Sequence, residues 1–203
     1  MGYSWSRAGV GLLLLLVPAA TALVGCGGGG GGVPLTVSGY VADAGTRSAV
    51  VGAVVSAQGQ TVSTGDNGIF ALTNLTTNPV TLTVEEEAHQ RLQQLVQVIG
   101  GALNVGTLYL APTHTPGTGD VTGTVTSSGA PAVNVRVFNE TRLARTDAQG
   151  NFTLYNVPAG PRTLTATNSD QTAMAFASVN VPAEGTVSAG IIALKGGPPP
   201  PPI

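Results

Sequence analysis

One cysteine, two histidines and a few clustered carboxylates are the residues with which this chain could react or coordinate. A zinc hydrolase needs a His-x-x-Glu pair and a further histidine, and neither His89 nor His114 has a glutamate three residues later. No serine sits in the Gly-x-Ser-x-Gly spacing of a nucleophile elbow. Glu85-Glu86-Glu87 offers oxygen ligands for calcium, but consecutive strand residues point to opposite faces, so the run reads as a solvated charge cluster. Asp147 to Gly150 carries a single carboxylate, which suits a turn better than a calcium loop. Tyr40, Tyr109 and Tyr155 are the candidate ligand contacts, as rings that could stack on a sugar, because the only tryptophan, Trp5, lies in the amino-terminal stretch. No catalytic, cofactor-binding or metal-ligating residue is assigned, and the expectation is a chain that is not an enzyme.

Cys26 is the remaining reactive group. Ahead of it stand Arg7, an apolar stretch from Val10 to Val17 broken only by Gly11, then Pro18 and small residues, the order of a secretory signal. The apolar centre is short for a bilayer span, although it could lengthen through Ala19 to Val24 into a single-pass anchor. Met1-Gly2 with Ser6 also fits a myristoylation pattern, but an acylated glycine needs no apolar stretch behind it. Leu23-Val24-Gly25-Cys26 resembles the lipobox of bacterial lipoproteins. That resemblance implies cleavage before Cys26, a diacylglyceryl thioether on its sulfur and an acyl chain such as palmitate on the new amino terminus. Cys26 would then be the lipidation site and the membrane partner. Gly27 to Gly32 follow as a flexible tether. By analogy with enteric lipoproteins, glycine rather than aspartate after the cysteine implies the outer membrane in a Gram-negative cell.

The 203 residues carry 8 basic and 10 acidic side chains, a net charge of −2, so there is no cationic excess for nucleic acid. Beyond the tether the chain repeats. Val37-Ser38-Gly39-Tyr40-Val41 has its counterpart in Val121-Thr122-Gly123-Thr124-Val125. Ala53 and Val55 match Val135 and Val137, Thr64 matches Thr146, and Gly68-Ile69-Phe70-Ala71-Leu72 matches Gly150-Asn151-Phe152-Thr153-Leu154. Asn74 pairs with Asn156 and Leu82 with Leu164, and Leu108-Tyr109-Leu110 answers Ile192-Ala193-Leu194. Large side chains alternate with small or polar ones, β-branched residues dominate, and turns in which an aspartate precedes a glycine, Thr64 to Gly68 and Thr146 to Gly150, together with Pro158-Ala159-Gly160, separate the short strands, a pattern that predicts β-sandwiches. Glu85 to Leu95 is the one stretch that could pass for a helix, and its flanks predict a hairpin.

Val-x-Gly-x-Val, a small-x-Val strand, Thr-Asp-x-x-Gly-x-Phe-x-Leu and an Asn-x-x-x-Gly turn together resemble the carboxypeptidase regulatory-like domain. The match is fullest through Thr146, Asp147, Gly150, Phe152, Leu154, Pro158 and Gly160; the first copy has Gly65 in place of the aspartate and Asn78-Pro79 in place of the glycine turn. The resemblance implies an all-β fold of two tandem Ig-like or transthyretin-like antiparallel β-sandwiches of about seven strands each. The expected division is a signal at 1–25, a lipidated tether at 26–35, sandwiches at 36–112 and 120–195, a linker at 113–119 and a Gly/Pro-rich tail at 196–203. Pilin sandwiches of related shape carry isopeptide crosslinks, but Lys195, the only lysine, lies in the last strand, so none is expected. The functional expectation is a non-catalytic, lipid-anchored cell-envelope protein, a structural or protein-interaction module whose partner is an unknown envelope protein or a glycan. The alternative is a carbohydrate-binding surface protein.

Overall fold

Alternation decides the strands. In β1 (Leu35–Asp43) Val37, Gly39 and Val41 point inward, and in β5 (Val80–Glu85) Val80, Leu82 and Val84 are buried while Thr81 and Glu85 are exposed. The computed structural model describes residues 34–196; Cys26, the signal, the glycine run and the proline tail lie outside them. Between β1 and β5 run β2 (Val54–Ala57), β3 (Gln60–Ser63) and β4 (Ile69–Leu75), and β6 (Leu92–Val96) and β7 (Ala102–Leu110) follow. The second half holds β8 (Thr118–Ser127), β9 (Ala130–Pro131), β10 (Arg136–Phe138), β11 (Leu143–Arg145), β12 (Asn151–Pro158), β13 (Gly160–Thr167), β14 (Ala173–Val181) and β15 (Thr186–Gly196). Among the described residues there is no helix. The predicted hairpin is present, with β5 and β6 paired antiparallel from Val80↔Val96 to Val84↔Leu92.

In the first half, the sheets β4-β1-β7 and β3-β2-β5-β6 enclose one core, with Phe70, Leu75, Leu82 and Leu110 at 0–2% exposure. Burying each such side chain contributes about 1.5–3 kcal/mol. A separate core around Phe152, Leu154 and Leu164 fills the second half. There β12-β8-β15, with β9 paired to β8, and β11-β10-β13-β14 join into one eight-stranded sheet, because Ala173 and Met174 of the long β14 pair with Gly196 and Lys195 of β15. The shorter β6 makes no such bridge to β7.

The all-β sandwich class holds, with two amendments. The sheets are not purely antiparallel: β1 runs parallel to β7 and β8 parallel to β15. Alternation along a strand reports which face is buried but not the direction of its neighbour. The expected linker at 113–119 is also displaced: β7 ends at Leu110 and β8 starts at Thr118, which leaves 111–117.

The repeat is carried by two devices. Thr64 and Thr146 are both 4% exposed. The Thr64 hydroxyl donates to Val50 O at 2.6 Å and accepts from Ala53 N at 2.9 Å; that of Thr146 donates to Ala132 O at 2.6 Å and accepts from Val135 N at 2.8 Å. Each ties two loop carbonyl and amide groups that would otherwise be orphaned in the core. The second device is the turn into β4 and β12. Gly150, at φ 78°, could not be replaced by a residue with a Cβ, which would lie 2.5 Å from Val125 O. Asp147 Oδ1 braces this turn by accepting from Gln149 N and Asn151 N. In the first half Asn67, not Asp66, performs that task by accepting from Ile69 N at 3.1 Å, which accounts for the departure at Gly65.

Candidate functional site

The two halves are not spaced identically. Val41 and Val50, which share a backbone bond, are nine residues apart, whereas the corresponding Val125 and Ala132 are seven apart. The two additional residues lie in the loop from β1 to β2, and this loop reaches the second half. It leaves β1 at Asp43, whose Oδ1 accepts from Gly45 N at 2.9 Å, Thr46 N at 2.6 Å and Thr46 Oγ1 at 2.9 Å, fixing a tight turn. Gly45 O then accepts from Arg145 N at 2.9 Å, and Gly45 lies so close to Tyr155 that an added Cβ would sit 3.1 Å from the ring. Arg47, at φ 63°, stacks its guanidinium 4.4 Å from the centroid of Tyr109, and its Nε is buried without a partner.

Asp43 Oδ2 faces His89 Nε2 at 3.0 Å, and His89 Nδ1 faces Glu86 Oε2 at 2.5 Å. His89 stands just after β5, where the chain leaves the sheet through a turn closed by His89 N donating to Glu86 O. The hydrogen bond from His89 holds the Glu86 carboxyl below its usual range, with Ala88 N assisting and burial opposing. With a carboxylate on each ring nitrogen, His89 offers no open nitrogen to a substrate. It is a strut between β1 and the β5–β6 turn rather than an acid or base.

The other wall is built around Asn156, which sits at φ 54° where β12 slips register against β8. Its side chain accepts from Thr115 N at 2.9 Å and Thr118 Oγ1 at 3.3 Å and donates to Thr113 O at 2.9 Å. Its backbone donates to Asp120 Oδ1 and accepts from Arg142 Nε. One asparagine thereby holds the whole linker against β12, and His114 adds a 2.9 Å ion pair with Glu184. Together these groups border a cleft of about 580 Å³ between the halves, lined among others by Asp43, Thr46, His114, Arg142, Tyr155 and Asn156.

Of the three tyrosines, Tyr155 lines this cleft, where burial first and the Asp120 charge second push its hydroxyl above the usual phenol value. Tyr109 lies under Arg47, and Tyr40 packs beside Gly68; neither borders the cleft. The glutamate run is not simply solvated: Glu85 pairs with Arg91 at 3.1 Å and Glu86 is engaged by His89. Among the described residues no group of three or more His, Cys, Asp or Glu side chains is arranged to hold a metal ion. Sequence reasoning missed Asp43, His89 and Asn156. Only the last left a signal, as the repeat partner of Asn74, which also has positive φ at 59°.

Among solved structures the chain is similar to the Bacillus anthracis TIE protein, at 16% identity over 81% of this chain and 34% of that one, with a TM-score of 0.34. It is also similar to a streptococcal ancillary pilin, at 13% identity over 81% of this chain and 63% of that one, TM-score 0.33. A third similarity is to GBS52, the minor pilin of Streptococcus agalactiae, at 9% identity over 83% of this chain and all of that one, TM-score 0.32. The chain thus spans about a third of the first of these and under two thirds of the second. No curated protein matches it. The family model of the carboxypeptidase regulatory-like domain matches residues 120–195, and the second half of the chain is a domain of that family.

Proposed function

We propose that the chain is a non-catalytic, lipid-anchored protein of the cell envelope, in which two regulatory-like sandwiches, the first a diverged copy of the second, form a structural or protein-interaction module. The observation that carries this reading is the junction. Asp43, Glu86, His89, His114 and Asn156 have the polarity an active site would use, and each is engaged in a hydrogen bond or ion pair that fixes a loop or the linker in place. Such a junction favours a rigid spacer over a reaction centre. Cys26 supplies the anchor: at about 0.8 kcal/mol per buried methylene, one acyl chain binds marginally and two or three hold the protein on the membrane. The outer membrane is the expected destination in a Gram-negative host, with the glycine run giving the module lateral freedom.

The test is intact-mass analysis of the chain expressed in a bacterium, wild type against Cys26→Ser, with membrane fractionation alongside. The expected result is loss of residues 1–25, a mass increment of diacylglyceryl plus an acyl chain on Cys26, and release of the Ser variant from the membrane. An unmodified Cys26, or retention of residues 1–25, would overturn the reading.

A further inference from the structure

The layer β11-β10-β13-β14 of the second half turns Val137, Ala144, Leu164 and Ala166 into the core, so the alternate residues form its outer face. Strand register assembles that face from positions far apart in sequence. Leu143, Phe138, Thr165 and Phe176 stand in one row across four strands. The next row is Arg145, Arg136, Thr167 and Met174, extended by Lys195 of β15. With strands about 4.8 Å apart, the two phenylalanines lie roughly 10 Å from one another, and the cationic row runs about 7 Å to one side. Phe176 is 67% exposed and Met174 40%, two large apolar side chains side by side on the outer face of β14. Past Phe176 the face dips into a shallow hollow of about 350 Å³ walled by Pro161, Arg162, Thr163, Ser178 and Asn180. The side chain of Arg162 belongs to the opposite face, in register with Val179, where Nε donates to Pro158 O at 2.9 Å and Nη2 donates to Ala159 O at 3.0 Å.

Charge distinguishes this face. The chain is acidic, yet three of its eight basic residues, Arg136, Arg145 and Lys195, stand in one row of this face. Among the described residues none of the three forms an ion pair: the Arg136 guanidinium lies 5.7 Å from the centroid of Phe138, and Arg145 Nη1 donates to Asn134 Oδ1 at 3.1 Å. We propose that this face binds an acidic polysaccharide: the Phe176 and Phe138 rings take the apolar faces of sugar units, Thr163, Ser178 and Asn180 take hydroxyls, and the guanidinium and ammonium groups take anionic substituents. The spacing of the rings by whole strands suits a polymer that presents the same group repeatedly.

The inference gives the interaction role of the preceding subsection a surface, and it depends neither on the lipid nor on the tyrosines or the junction cleft. It is tested with the full chain in detergent, by affinity electrophoresis and titration calorimetry against polygalacturonate, dextran sulfate, neutral dextran and polyglutamate. Polygalacturonate or dextran sulfate should bind at least about tenfold more tightly than dextran and polyglutamate, the first pair distinguishing carboxylate from sulfate as the anion. Phe176→Ala should weaken binding about tenfold and Phe176→Tyr should not, while Arg136→Gln with Arg145→Gln should weaken it and flatten its salt dependence. Thermal melts verify that each variant folds; if Phe176→Ala does not, the arginine pair decides. Binding of neither acidic glycan, equal binding of polyglutamate, or indifference to both sets of variants overturns the proposal. Because Cys26→Ser should bind as the wild type does, a failure here leaves the anchor standing, and an unmodified Cys26 leaves this surface standing.

Discussion

Replacing Thr146 by valine preserves shape and removes one oxygen that performs two bonds. The Val135 amide and the Ala132 carbonyl, 2.8 and 2.6 Å from that oxygen, would be left without a partner beside a residue only 4% exposed. A buried polar group left unsatisfied costs about 1–3 kcal/mol, and two of them outweigh the roughly 0.8 kcal/mol contributed by the additional buried methyl, so the net loss should be about 2–4 kcal/mol. Thr146→Ser keeps the oxygen and should lose only the methyl contribution, about 1 kcal/mol. Urea unfolding followed by circular dichroism reads both. Thr64→Val, with its partners at 2.9 and 2.6 Å, should show the same loss in the first core. Thermal melts of the two variants also report whether the cores unfold together: a shared transition shifts by about 2–4 °C per kcal/mol, while independent ones leave one transition unmoved. A loss below about 0.5 kcal/mol for Thr146→Val, or equal damage from serine and valine, would refute the assignment of this oxygen as a structural tie.

Gly150→Ala should destabilise by more than Gly129→Ala in the same assay. Both positions have positive φ, at 78° and 82°, but only at Gly150 does the new methyl meet a carbonyl, whereas Gly129 has open space and should lose only about 1 kcal/mol of backbone strain. Glu86 has its folded-state pKa lowered by the bond from His89, so its contribution is present above the ordinary carboxylate range and disappears as the pH falls through the lowered value. The difference in melting temperature between wild type and Glu86→Gln should therefore be largest near neutral pH and vanish in acid; a difference unchanged in acid would contradict the clasp. Tyr155 has its pKa raised, so it contributes below its ordinary value and that contribution is lost as alkaline pH passes through the raised one; Tyr155→Phe should be less sensitive to alkali than wild type. Asn156→Gly keeps the positive φ and removes the side-chain bonds to Thr113, Thr115 and Thr118, so limited proteolysis should cut the 111–117 linker faster with both cores intact.

What was legible in the sequence was local. The turn chemistry of Asp147 and Gly150, the hairpin at Val80 to Val96 and the repeat positions Thr64 and Thr146 each follow from residue type and spacing over a few positions. The pairing of first with last strand in each half does not, since it joins Thr36 to Ala102 and Asp120 to Thr186. His89 reaches Asp43 across 46 positions through a loop two residues longer than its counterpart. The outer face of the second half is likewise a product of register, because Phe138 and Phe176 become neighbours only through Thr165. The tyrosines were singled out as the aromatic residues open to ligand, yet ring type carries no information about which face a register will assemble.

The parallel first and last strands also determine how the chain would carry tension. Each half is entered at the start of one strand and left at the far end of its parallel neighbour, Leu35 to Leu110 and Thr118 to Gly196. A pull between those points drags the two strands past one another along their length, perpendicular to the hydrogen bonds that join them, and loads the whole ladder at once instead of opening it bond by bond. A protein tied to a surface at one end and gripped at the other would resist in shear in both halves. Single-molecule stretching should show two abrupt, high-force yields; gradual low-force unzipping would contradict this mechanics.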